Sequence, residues 1–178
     1  MTVKDAEVRF YFDADILGLA HVVCSLRPDC TYPGDKGKKI KRHIRGECVI
    51  REPKTADREW IPIVATRGWV AITRDGDIQN HLSLLQLVKE YQLRLVTLTG
   101  ADAGTPWRQL GILIPQWRNI ESLVDREGPV VIAATRTGFR NVDIDKAIEK
   151  IREGRKARRP RRRHRVGEGL FSFSPELR

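Results

Sequence analysis

Gly68-Trp-Val-Ala-Ile-Thr-Arg-Asp-Gly-Asp-Ile78 reads as a short apolar strand over residues 69–73 that ends on two acids, Asp75 and Asp77. An apolar run of that length, bounded by Gly68 and Gly76, suits a strand buried on both faces of a parallel sheet. Sheets of that kind place their ligand sites beyond the carboxyl ends of the strands. Two carboxylates delivered there can hold a hard divalent cation if a third comes from elsewhere in the chain.

Upstream, residues 7–13 form a first expected strand, in which Val8, Phe10 and Phe12 alternate. It runs into Asp13-Ala14-Asp15, and the apolar residues from Ile16 to Leu26 then recur at roughly helical spacing. This strand too delivers carboxylates at its carboxyl end. Asp15 has a competing explanation as a helix N-cap, a position that favours aspartate, whereas Asp13 on the strand end is harder to explain as a cap. Nearer the central strand, Trp60, Ile61, Val64 and Ala65 mark a helix over residues 57–67 that Gly68 stops. Asp57 or Glu59 at its start is the candidate third carboxylate, although either would also complement the helix dipole.

Downstream, the spacing predicts a helix over 78–91, a strand over 93–99, a helix near 106–121, a strand over 129–135 and a short helix over 143–152. Residues 29–46 read as an irregular loop and 48–50 as a weak strand. Strands alternating with helices throughout argue for an α/β layered sheet.

The net charge of +10 is concentrated in two segments. Residues 151–165 are net +8 and residues 36–45 net +6, which leaves the remainder at −4. A folded body with cationic extensions commonly meets nucleic acid. The candidate phosphate contacts are Lys38, Lys39, Lys41 and Arg42 in the first segment, beside Lys36 and Arg45, and Arg158, Arg159, Arg161, Arg162 and Arg163 in the second. A solvated flexible loop is the competing reading of the first segment. Residues 154–165 are nearly all Arg, Lys and Pro, and are expected to be disordered until RNA orders them. The expected organisation is a catalytic body over 1–150 and a basic tail over 151–178, with Leu170-Phe-Ser-Phe-Ser174 long enough only to dock on a partner.

The other bulk features narrow the class. Cys24, Cys30 and Cys48 match no zinc spacing, the four histidines are scattered, and reduced thiols without a structural metal are expected. No stretch approaches the ~20 apolar residues of a membrane span, and the first residues lack the apolar core of a signal peptide, so a cytoplasmic location is expected.

Three chemistries compete for the aspartates. In a metal-dependent nuclease, a carboxylate cluster of Asp13, Asp57, Asp75 and Asp77, supported by Asp15, holds ions that activate water and offset charge on the attacking and leaving oxygens. In a phosphatase resembling the haloacid dehalogenase superfamily, Asp13 is the nucleophile and Asp15 the acid/base. That reading puts Asp75 and Asp77 before Thr99 where such enzymes have the reverse order, and Ile16-Leu17 where they have Gly-Thr. In a non-catalytic RNA- or partner-binding domain, the acids are caps. No Ser/His/Asp or Cys/His nucleophilic set is evident.

Phe12-Asp13-Ala14-Asp15, Asp57-Arg58-Glu59-Trp60 and the Trp69–Ile78 stretch together resemble the PIN-like domain. More narrowly they resemble the PIN-like branch of VapC-type toxins, whose signature runs D…(D/E)xxW…RGWxxITRDxxI. The resemblance spans about residues 7–135. It implies an Mg²⁺- or Mn²⁺-dependent endoribonuclease on a Rossmann-like three-layer sandwich with a central, mostly parallel sheet. It also implies an often dimeric protein and a cognate antitoxin that blocks the site. By position, Asp13 matches the acid of the first strand, Asp57 the helix acid, Asp75 the acid of the third motif and Asp77 an auxiliary one. Asp15 stands where many relatives have Ser, Thr or Asn, Glu59 competes with Asp57, and Thr73 is expected to orient a carboxylate.

Overall fold

The computed structural model describes residues 2–74 and 81–158. Its centre is β2 (Phe10–Phe12), in which all three side chains are buried. Successive residues of a strand face opposite sides. Phe10 and Phe12 accordingly pack in one apolar layer and Tyr11 in the other. A strand lined on both sides in this way has to be interior to the sheet.

The chain leaves β2 through a 3₁₀ turn (Ala14–Ile16) into α1 (Leu17–Leu26) and returns as β3 (Cys30–Thr31) on one edge of β2. The next long excursion passes through α2 (Asp57–Thr66) and comes back as β6 (Val70–Thr73) on the other edge. Further elements are α3 (Leu82–Glu90), β7 (Arg94–Leu98), α4 (Pro106–Glu121), β8 (Val130–Ala134) and β9 (Phe139–Asn141). The sheet order is β3-β2-β6-β7-β8-β9, parallel except for β9. α1 and α4 cover one face, and α2, α3 and the last helix, α5 (Ile144–Arg158), cover the other. The molecule is an α/β three-layer sandwich around a mostly parallel sheet.

Gly68 shows how α2 is stopped. Its φ of +69° lies in the left-handed region that glycine tolerates, and its carbonyl accepts a hydrogen bond from the Arg94 guanidinium. The chain therefore turns within three residues from helix to the buried strand β6.

Several boundaries differ from the sequence reading. Residues 29–46 are not an irregular loop. They contain β3, and also β4 (Lys38–Ile40) and β5 (His43–Arg45), which join β1 (Lys4–Asp5) in a separate small sheet ordered β1-β5-β4. The cause is an ion pair that composition does not reveal. Arg45 is buried and donates to Asp35 at 2.7 Å, and also to the carbonyls of Cys24 and Arg27 at the end of α1. Gly37 completes this turn with φ +79°, where a Cβ would stand 2.4 Å from the Arg45 carbonyl oxygen. Arg45 is thus occupied inside the protein and is unavailable to phosphate.

Residues 48–50 form no strand, yet Cys48 and Ile50 are buried against Trp60 and Val64. α5 continues past residue 152 to Arg158, because Arg, Lys and Ala sustain a helix through the single Gly154. The expected body–tail boundary at 150/151 therefore falls within a helix. Cys24, Cys30 and Cys48 are buried free thiols. No described helix is long and apolar enough to cross a membrane.

Candidate active site

β2 carries its sequential partner β3 on one side and β6 on the other, so the chain reverses direction across the sheet between β2 and β6. At such a switch point the loops leaving the two strands diverge and open a crevice at their carboxyl ends. Asp13 follows β2 directly, its backbone N–H donating to the Ile72 carbonyl of β6 at 2.9 Å. Thr73 ends β6 beside it.

Asp13 has extended backbone (φ −69°, ψ 162°) and caps the 3₁₀ turn, its carboxylate accepting from the Ala14 N–H at 2.6 Å. The cap is thus Asp13 and not Asp15, because the chain turns two residues earlier than the helical pattern suggests. Asp15 instead bridges the crevice. Its Oδ2 accepts from the Thr73 hydroxyl at 3.1 Å and from the Arg74 N–H at 3.0 Å, tying the exit of β2 to the exit of β6.

Asp57 arrives from the other layer as the first residue of α2, and its Oδ1 accepts from the Trp60 indole N–H at 3.1 Å. Trp60 in turn stacks on Tyr11 of β2, with ring centroids 5.3 Å apart and planes at 29°. The two aromatic rings form a rigid support that fixes Asp57 relative to the strand bearing Asp13. This gives a physical reason for the acid-x-x-Trp spacing: residues three apart lie on one helical face, so the indole reaches the carboxylate. Tyr11 was not singled out in the sequence, where it reads only as one more strand aromatic.

The electrostatics of the crevice show these acids acting on one another. Burial, with the Asp15 and Asp57 charges adding to it, raises Asp13 from the ordinary carboxylate range to about 7. The Ala14 N–H and the Thr73 hydroxyl oppose that shift. Burial, with Asp13 and Asp57 nearby, also holds the Tyr11 phenol far above its usual value. Glu59 is absent from both sets of neighbours and lies 4.0 Å from Arg58, with its side chain more than half exposed. Of the two candidate helix acids, Asp57 is the one whose charge reaches Asp13.

Among the described residues, no group of three or more His, Cys, Asp or Glu side chains is spaced to hold a metal ion. Asp75 and Asp77 lie outside the described residues, Asp75 being the next residue after Arg74. The donor chemistry nonetheless fits a hard divalent cation. The acids in the crevice are all oxygen donors, and their mutual repulsion is what a bound cation would relieve.

The cationic candidates lie elsewhere. Lys38, Lys39, Lys41 and Arg42 are exposed on the β4–β5 hairpin, which Arg45 anchors to the carboxyl end of α1. Asp13 and Asp15 precede the amino end of that helix, whose ten residues span about 15 Å. The fold does not bring this segment to the acids. Arg158 is the last residue of α5. Arg159, Arg161, Arg162 and Arg163 lie outside the described residues.

A family model described as a PIN-like domain matches residues 9–100, which run from the start of β2 to the turn after β7. The chain belongs to the PIN-like domain family. No curated protein and no solved structure is similar enough to count as a match. PIN-like domains are generally nucleases that use divalent metal ions, and membership displaces the dehalogenase-like alternative. The matched span contains all five aspartates of the proposed site, whereas α4, β8, β9 and α5 lie beyond it.

Proposed function

We propose that this PIN-like domain is a metal-dependent endoribonuclease and the toxin of a VapC-type toxin–antitoxin pair. The observation supporting the chemistry is the gathering of Asp13, Asp15 and Asp57 at the switch point, where burial, with the Asp15 and Asp57 charges adding to it, lifts Asp13 to about 7. A cap alone needs one carboxylate, whereas gathering several at one buried place costs stability through like-charge repulsion.

Asp13, Asp57 and Asp75 would anchor Mg²⁺ or Mn²⁺, with Asp77 and Asp15 assisting. When bound, such an ion supplies Lewis-acid activation of the scissile phosphate and of the attacking water. The chain's own residues provide the frame. Trp60 and Tyr11 hold Asp57 in place, and Thr73 with the Arg74 N–H holds Asp15 across the crevice. A cognate antitoxin would act by covering this crevice, and the toxin would work as a homodimer in the cytoplasm. The toxin role rests on the motif resemblance in the sequence.

The deciding experiment is cleavage of a mixed RNA pool by purified protein with Mn²⁺ or Mg²⁺ and with chelator, beside Asp13→Asn and Asp75→Asn. Metal-dependent cutting that falls at least a hundredfold in both folded variants is expected. A fully active Asp75→Asn protein would sink the metal-nuclease reading.

The tail arginines, Arg158, Arg159, Arg161, Arg162 and Arg163, would add sequence-independent affinity for the RNA backbone. Truncation after residue 157 should then flatten the salt dependence of RNA binding, since fewer counterions are released. An unchanged slope would make the tail a solvated extension, and the same measurement on a Lys38/Lys39/Lys41/Arg42 variant applies to the hairpin.

A further inference from the structure

Of the four tryptophans, three are held by the fold. Trp60 donates to Asp57, Trp117 donates to Glu121, and Trp69 is buried. Trp107 differs from them in being 81 % exposed, in the first turn of α4. An indole left in water at that cost calls for a reason, and its position supplies one.

α4 starts beside α1: a Cβ on Gly18 would come within 2.7 Å of Pro106 Cγ. α1 follows directly from the turn after Asp13 that carries Asp15, so the amino end of α4, with Trp107, lies at the same end of α1 as the acids. It also stands above the edge of the sheet. Gln116 donates to the carbonyls of Thr135 and Arg136 just past β8, and Trp107 lies nine residues earlier on the same helix, about 13 Å further out along its axis.

Two arginines lie near this position. Arg108 follows Trp107 in the chain and is exposed. The Arg136 guanidinium reaches back along α4 until its Nη2 is 3.0 Å from where a Gly111 Cβ would sit, one helical turn from Trp107 on the same face. Glycine at 111 leaves the room that this arginine occupies.

We propose that Trp107, with Arg108 and Arg136, forms a stacking platform for a base of single-stranded RNA adjacent to the cleavage site. An open aromatic ring beside guanidinium groups is the chemistry with which proteins grip single strands: the ring takes a base face and the cations take phosphates. A protein partner would instead favour the purely apolar part of this surface, farther from the acids, where Ile114, Val22 and Leu26 are exposed. The proposal rests on the nuclease reading and adds a binding residue beyond the span that the family model matches.

The test measures the affinity of a short, unstructured, fluorescein-labelled RNA for full-length protein carrying Asp13→Asn, so that the RNA survives. Adding Trp107→Ala should weaken binding about tenfold, since stacking contributes ~1–3 kcal/mol per base. Its salt slope should stay unchanged, and Trp107→Phe should restore most of the affinity. Arg136→Ala should lower the salt slope by about one phosphate contact, ~0.7. Equal affinity of the Trp107→Ala protein, while wild-type protein cleaves RNA normally, overturns the platform and leaves the nuclease intact. A wild-type protein that neither binds nor cleaves RNA overturns both. Self-association abolished by Trp107→Ala with RNA affinity unmoved makes the residue an interface between copies, and also overturns the platform.

Discussion

The two ends of α1 treat carboxylates in opposite ways. At its carboxyl end, Asp35 is buried and fully answered: Arg45 donates to it at 2.7 Å, the Gly37 N–H at 2.9 Å and the Thr31 hydroxyl at 3.2 Å. At its amino end, Asp13 is buried and feels the charges of Asp15 and Asp57, while the Ala14 N–H, the Thr73 hydroxyl, the Arg74 N–H and the Trp60 indole N–H donate to the three carboxylates. The first arrangement stabilises a segment too polar to fold by burial alone. The second raises the energy of the folded state and leaves a site where an external positive charge is favoured. The same side chain therefore serves structure where a buried guanidinium answers it, and suits function where carboxylates raise one another's energy.

The contrast can be broken most severely at the paired end. Arg45→Ala or Asp35→Ala leaves a buried charge without its partner, and chemical denaturation should show a loss of about 3–5 kcal/mol. A loss below ~1 kcal/mol would mean that the hairpin folds without the pair.

At the amino end the expected effect is smaller and opposite in sign. Asp13 holds its proton up to about pH 7 in the folded protein, whereas in the unfolded chain it ionises near pH ~4. Stability from this group is therefore fully present below about pH 4 and is lost as pH rises through 7. Asp13→Asn removes that loss, so the metal-free variant should be about 1–3 kcal/mol more stable than wild type at pH 8 and little changed at pH 4. Equal stability at pH 8 would show that the crevice is not under electrostatic stress. A variant that is more stable yet inactive would display the trade-off expected of a functional site.

The smallest effect separates the two helix acids. Glu59→Gln removes a charge set beside Arg58 on the surface and should change both stability and cleavage by less than twofold. Asp57→Asn should abolish cleavage. Comparable losses in the two variants would return the choice between them to an open question.

Much of this was legible in the sequence because it rests on local patterns. The apolar run at Val70–Thr73 and the helical spacing before and after it define an α/β sheet, and the acids placed at strand ends mark the carboxyl edge as the candidate site. α4 runs from Pro106 to Glu121 as its periodicity indicates, since its capping Thr105 and apolar stripe are both local signals. The spacing from Asp57 to Trp60 likewise carries its own geometry.

What the tertiary structure alone decided depends on residues distant in the chain meeting one another. A Pro-, Gly- and Lys-rich stretch became a small sheet because Arg45 reaches Asp35 and the end of α1, a contact that composition cannot register. Asp15 became a bridge to Thr73, 58 residues away, where local rules left it between a helix cap and a metal-supporting acid. The hairpin lysines went to the end of α1 opposite the aspartates, and the start of α4 with Trp107 went to the aspartates' end, because α1 and α4 pack on the same face of the sheet. Periodicity fixes which residues are buried; only the packing of elements fixes which exposed charges and rings share a surface.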